Sequence, residues 1–359
     1  MNRSVLARTA IAGAAIAALT LAGCSSGSNT PEPNTSTTAA NPYAELSGKL
    51  DASGASFPNA YYQAALDKFG EVAPDLEITY RSTGSGTGKK EFGSGITDFA
   101  GSDSTVKDGD GPTAGSFFYI PTVAAPITVS FNLSGVDKLQ LSPSTLAKIF
   151  GRTIKTWNAP EIVADNPGAT LPAKNIVVVH RSDGSGTTNN FTKYLVKAGG
   201  ADWKLGSGDT VAWPADTQAG DKNTGVAQLV KQGDGSIGYV DFGDARTSGL
   251  KFASIKNKDG KYVAASLAGA TAALAGATLK DDLTYDPLDA AGADSYPITA
   301  PTYLLVKPQY DGTKGPLVKG FVKWLLTDGR QYADATGFAV LPDAIQAKAL
   351  AKLDTVKIG

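Results

Sequence analysis

The run Ile176-Val177-Val178-Val179-His180-Arg181-Ser182-Asp183-Gly184-Ser185-Gly186-Thr187 passes from four β-branched residues into a Gly/Ser turn. Phe191, Tyr194 and Leu195 follow at i, i+3, i+4 spacing and end near Gly199-Gly200. That order reads as strand, tight loop, helix, with the aromatic stripe as core packing. A second copy lies a hundred positions earlier, where Glu77-Ile78-Thr79-Tyr80 leads into Thr83-Gly84-Ser85-Gly86-Thr87. Alternating strand and helix patterns predict an α/β fold.

The paired loops also carry chemistry. Glycines let backbone approach a ligand closely, and the first N–H groups of a helix have no partner within it. Two such loops make two anion cradles, to which Ser and Thr hydroxyls add donors without adding charge. Arg181 stands two residues before Asp183, so a strand end can bring its guanidinium over the second loop for a bidentate grip on an oxyanion, with Asp183 holding it in place. Asp103, in Asp98-Phe99-Ala100-Gly101-Ser102-Asp103, puts a carboxylate near an anion. It makes sense there if the anion carries a proton, because the carboxylate then accepts a hydrogen bond that a fully deprotonated anion cannot offer.

Bulk charge does not draw an anion to this chain. The 359 residues carry a net charge of −1, and losing Arg3 and Arg8 with a leader takes it to −3. Local dipoles and one or two positioned cations must do the binding, and no basic surface suggests nucleic acid. At the amino end, Arg3 and Arg8 precede an apolar run from Ile11 to Ala22 and then Leu21-Ala22-Gly23-Cys24. Residues 1–23 read as a secretory signal peptide, too short to span a bilayer. Leu-Ala-Gly-Cys resembles the lipobox of bacterial lipoproteins, in which the cysteine becomes the acylated first residue. Cys24 is the only cysteine, so an exported fold would rest on its core without a disulfide. Residues 24–45, rich in Ser, Thr, Asn and Pro, read as the lipidated end and a disordered tether.

The folded part is expected from Leu46. Ser56 is a plausible N-cap for a helix carrying Tyr61, Ala65 and Phe69 and ending at Gly70. Ile127–Asn132 and Tyr303–Val306 read as apolar strands preceded by prolines, and as crossings between two domains. Leu267 to Leu279 is Ala-rich and helical, with no chemistry in it.

Rival classes lack their groups. His180, the only histidine, neighbours Arg181 on a strand and so faces the other way, as a surface or packing residue. The only G-x-S-x-G-like match is Gly23-Cys24-Ser25-Ser26-Gly27, inside the leader junction, where no nucleophile elbow forms. Gly84 to Lys90 lacks Walker spacing. One histidine and one cysteine cannot assemble a zinc or copper set, while a carboxylate calcium site stays open.

Six spaced motifs agree in order with one family: Gly54-Ala55-Ser56-Phe57-Pro58, Gly84-Ser85-Gly86, Asp98 to Asp103, Arg181 to Thr187, Gly235-Ser236-Ile237-Gly238-Tyr239-Val240 and Tyr296-Pro297-Ile298-Thr299. From about Gly54 to Pro342 the chain closely resembles the periplasmic or lipid-anchored phosphate-binding component of the bacterial high-affinity phosphate ABC transporter. The resemblance implies a two-lobed periplasmic-binding-protein fold of the type II kind, each lobe a mixed sheet flanked by helices. Residues 46–126 and 298–359 would form one lobe and 127–297 the other. It implies phosphate buried between the lobes and held by hydrogen bonds alone, without cofactor or catalysis. Carried over residue by residue, Ser56, Phe57 and Ser85 give hydroxyl and N–H donors, and Asp103 accepts the phosphate proton. Arg181 is the cationic ligand, Asp183 its partner, and Ser185, Gly186 and Thr187 the helix-end cradle. Ser56 departs from a frequent Thr, and Gly86 from Ser. The implied partners are permease subunits of an importer and, through the lipid, the outer face of the cell membrane, with the protein a monomer.

Overall fold

The computed structural model describes residues 41–359. The expected signal peptide, Cys24 and most of the expected tether lie outside the described residues.

The β-branched runs become parallel strands because each is followed by a helix that returns the chain across the sheet face. Strand Gly48–Gly54 pairs in parallel with Leu76–Ser82 on one side and Phe99–Ser102 on the other. In the other half, Val177–Arg181 pairs in parallel with Gln218–Gly220 and Ser236–Asp241. Helices Asn59–Val72 and Ser85–Gly93 follow strands of the first set, and Gly186–Gly199 and Lys222–Gln232 follow strands of the second.

One strand joins the two sets. The expectation of a strand starting after Pro126 is corrected: strand Phe118–Asn132 is 15 residues long and contains that proline. Its first part pairs antiparallel with Thr299–Val306 and Ala339–Val340, and Ile127–Asn132 pairs with Ser236–Asp241. Proline donates nothing to a ladder, so it is tolerated where the strand changes partners. Just past it, Ile127 N–H donates to Ile298 C=O at 2.8 Å. Pro301 likewise lies inside its strand, beside a register shift between Pro301 and Tyr303. The result is a two-lobed mixed α/β molecule.

The helical stripe is core as expected. Phe191, Tyr194 and Leu195 are fully buried, with the Phe191 ring stacked on Tyr239 at 4.4 Å and edge-on to Phe150 at 4.7 Å. The first half packs Phe69 against Phe321 and Trp324. Tyr43 also reaches Phe69, at 5.6 Å, and Asn41 Nδ2 donates to Val72 C=O at 2.7 Å. Ordered packing therefore begins before Leu46, because one aromatic ring suffices to hold this polar stretch on the core. Among the described residues, no helix is long and apolar enough to cross a membrane.

Candidate functional site

The two Gly/Ser loops face each other across the gap between the halves. Gly86 N–H donates to Gly184 C=O at 2.9 Å, loop to loop. Gly84 sits at φ 87°, which favours glycine, and a Cβ there would overlap Asp183 Oδ2. At Gly186 a Cβ would lie 2.6 Å from Ser85 Oγ and 2.7 Å from Asp103 Cβ. The glycines are what let the cradles meet.

From the first half come Ser56, Phe57, Ser85 and Asp103, all buried. Ser56 is not the helix cap expected of it. The helix starts at Asn59 with Pro58 in the cap position, and the Ser56 hydroxyl turns across the gap to accept from Asn223 Nδ2 at 3.3 Å. Phe57 packs its ring edge-on to Phe338 at 5.6 Å, which fixes the backbone carrying its N–H. Among the described residues no backbone carbonyl takes the Ser56 or Phe57 N–H. Ser85 opens its helix, and its Oγ accepts from Asp103 N–H at 3.2 Å while lying 3.4 Å from Asp103 Oδ2.

Asp103 follows strand Phe99–Ser102 and is 2 % exposed. Its Oδ1 is buried with no protein partner. Burial pushes its carboxyl up to about 7, against the opposing pull of the nearby Thr302 hydroxyl, the charge of Arg181 and the hydrogen bond from Ser85. A buried acceptor with an open lone pair, poised near neutrality, suits a ligand that brings its own proton.

From the second half, Arg181 ends strand Val177–Arg181 with its side chain buried. Its Nε donates to Asp183 Oδ1 at 2.7 Å and its Nη2 to Asp183 Oδ2, so the expected partner takes the two-pronged grip expected for the oxyanion. Burial works against the Asp183 carboxylate, but the bonds and charge of Arg181 hold it below its usual range. Arg181 N–H donates to the Tyr239 hydroxyl at 3.0 Å, and Tyr239 shares a 2.7 Å bond with Thr188 Oγ1. Ser185 Oγ caps helix Gly186–Gly199 by accepting from Thr188 N–H at 3.1 Å. Ser185 N–H is already given to Asp209 C=O at 2.9 Å. The backbone donors left in this cradle are therefore Gly186 and Thr187, and Ser185 adds its hydroxyl.

The structure thus brings Ser56, Phe57, Ser85, Asp103, Arg181, Asp183, Ser185, Gly186 and Thr187 into one buried locus. Four further residues complete it. Asn190 Nδ2 donates to Asp103 C=O at 2.6 Å. Lys89, 1 % exposed, lies 2.8 Å from Asp110 Oδ2 and 2.9 Å from Asp209 Oδ2, so its ammonium ties the first cradle helix to the second half. Asn223 Nδ2 also donates to Thr187 Oγ1 at 3.2 Å. Helical spacing could have found two of these, since Lys89 stands four residues after Ser85 and Asn190 four after Gly186. No sequence signal marks Asn223 or Asp209. Beside the site, a cavity of about 170 Å³ is lined by Asp103, Asn190, Lys193 and Lys280. His180 points away, stacked on Trp213 at 4.8 Å, and burial lowers its pKa.

With this geometry in view, comparison with known proteins gives a consistent result. The profile of the PBP superfamily domain matches residues 32–329. The phosphate-binding protein PstS of Methanocaldococcus jannaschii is 32% identical, with 94% of this chain and 92% of the relative covered. That of Haemophilus influenzae is 35% identical over 84% of this chain and 91% of its own. Among solved structures, a high-affinity periplasmic phosphate-binding protein, PfluDING, bound with phosphate superposes with a TM-score of 0.70. It is 24% identical and covers 85% of this chain and 93% of its own. A putative phosphate ABC transporter substrate-binding protein with bound phosphate from Clostridium perfringens gives 0.63 at 18% identity, over 82% of this chain and 100% of its own. The chain therefore belongs to the PBP superfamily and, within it, to the family of PstS phosphate-binding proteins.

Proposed function

We propose that this protein captures inorganic phosphate between its two lobes, by hydrogen bonds alone, and hands it to a membrane ABC importer. The observation that carries this is the donor and acceptor count of the buried locus. Hydroxyls of Ser56, Ser85, Ser185 and Thr187, backbone N–H groups of Phe57, Gly186 and Thr187, and the Arg181 N–H groups that Asp183 does not take are donors, while the unpartnered acceptors are only the Asp103 carboxyl and the Asn223 carbonyl. A tetrahedral oxyanion with one proton matches that set, and a sugar, which needs many acceptors, does not. Arg181 and Asp183 cancel one another, so the helix-end dipoles and oriented hydroxyls hold the ligand's charge. The relatives' names agree with this ligand.

The lobes are residues 46–126 with 298–359, and 127–297, a division supported by the change of strand partners at Pro126. The leader and lipobox-like Leu21 to Cys24 support a lipid anchor that holds the chain at the outer face of the membrane. A monomeric carrier without catalytic chemistry accounts for the site, whose sole histidine is turned away. Isothermal titration of the protein in detergent with phosphate, sulfate and glucose tests the reading. At about pH 9, where Asp103 has no proton to lend to sulfate, heat from phosphate alone is expected, and binding of the sugar, or of nothing, overturns it.

A further inference from the structure

Asn223 is fully buried at the start of helix Lys222–Gln232, beside the strand that carries Arg181. Its amide nitrogen contacts one hydroxyl from each half of the molecule, Ser56 at 3.3 Å and Thr187 at 3.2 Å, while its Oδ1 has no protein partner. We propose that Asn223 is a positioning residue: by donating to Ser56 and Thr187 it turns both hydroxyl hydrogens toward the bound anion. The inference rests on the oxyanion reading above and adds to it a residue that does not touch the ligand.

The argument is one of hydrogen-bond capacity. A hydroxyl has one hydrogen to give and two lone pairs to receive with. Thr187 Oγ1 receives from Asn223 and from Arg181 Nη1 at 3.5 Å, so both its lone pairs are engaged and its hydrogen must go elsewhere. Among the described residues no acceptor takes it. Ser56 Oγ is in the same position with one lone pair engaged. Turning the amide over would place Oδ1 against both hydroxyls, where it would consume their hydrogens and leave the cradle two acceptors facing an anion. It would also strand two N–H donors in the pocket that now holds a single carbonyl oxygen. Buried unpaired N–H groups are rarer and costlier than an under-used carbonyl, so the network selects the donating orientation. Because Ser56 belongs to one half and Thr187 to the other, the orientation is complete only when the halves are together.

The experiment compares Asn223→Leu with Asn223→Ala in the full-length protein, titrated with inorganic phosphate by calorimetry, with Arg181→Ala as a control for the site. Leu keeps close to the shape of Asn, removes its donors and adds no charge. If Asn223 orients hydroxyls, Leu and Ala are equally poor, each with about tenfold weaker binding, because both leave the hydroxyls free to rotate. A packing role separates them, with Leu close to the parent and Ala worse. That order, with Arg181→Ala still losing phosphate, overturns the inference and leaves the phosphate reading intact. If the parent takes no phosphate, both fall. Should Asn223→Leu not fold, a cycle with Ser56→Ala decides. Asn223→Ala is expected to cost less in that background, and an equal cost in both refutes the coupling.

Discussion

Replacing Asp103 by Asn keeps the size of the side chain and removes the one acidic group left open toward the cradle. In the parent, burial raises this carboxyl from 3.8 to about 7. The folded protein holds the proton more tightly than the unfolded chain, so the stability this brings is complete below the unfolded value and is lost as pH rises toward 7. At about 1.36 kcal/mol per unit and roughly three units, the ionised carboxylate costs the ligand-free protein about 4 kcal/mol above neutrality. Asn cannot ionise, so the variant is expected to gain on the parent between about pH 4 and about pH 8 and then level off, read by urea unfolding without phosphate. The same ionisation governs selectivity. Sulfate brings no proton, so it is accepted by the parent only when Asp103 supplies one, and its apparent affinity is expected to fall about tenfold per pH unit above 7. In Asp103→Asn the amide donates at every pH. Sulfate then binds with no such slope, while phosphate loses comparatively little. Calorimetry of both proteins with sulfate from about pH 6 to about pH 9 reads the slopes. An Asn variant that excludes sulfate as strictly as the parent, or a stability difference that does not change with pH, refutes proton sensing by Asp103.

Arg181→Ala is expected to weaken phosphate binding by about 2–5 kcal/mol, since Asp183 is left unpaired beside an anion; Arg181→Lys does not restore it because a point charge cannot reproduce the fork, and unchanged affinity in titration removes Arg181 from the site. Cys24→Ala is expected to move the protein from the membrane fraction to the soluble one without changing phosphate affinity, and retention in membranes disproves the anchor. Lys89→Met leaves Asp110 and Asp209 without their shared cation, so a loss of about 3–5 kcal/mol in urea unfolding is expected, together with faster phosphate release in stopped flow. Release at the parental rate means that the ammonium ties side chains together but not the two halves.

The sequence made the site legible through residues that are neighbours along the chain. Arg181 and Asp183, Ser185 to Thr187, and Ser85 with its glycines each sit on one strand–loop–helix unit, where period and loop chemistry suffice to place them. Asp103 came from the family resemblance, since an Asp after a short strand reads equally as a loop acid or a helix cap, and the structure adds that its Oδ1 is left without a partner. Asn223 and Asp209 escaped because their roles exist only across the gap, between groups 167 positions apart in the case of Asn223 and Ser56. Ser56 misled for a related reason. A Ser ahead of a helix reads as its cap, but Pro58 takes that place and tertiary contact claims the hydroxyl. The prolines misled similarly, since Pro126 and Pro301 punctuate sequence yet lie inside strands at a partner change and a register shift.

The uninterrupted strand from Phe118 to Asn132 sets how this molecule can deform. A joint made of flexible linkers opens freely and stays where diffusion leaves it. Here the ladder bonds of both halves run along one ribbon, so parting the halves must bend and twist β-structure without breaking it. Such a ribbon resists in proportion to its distortion and returns when released. The gap is thus closer to a sprung jaw than to a loose hinge.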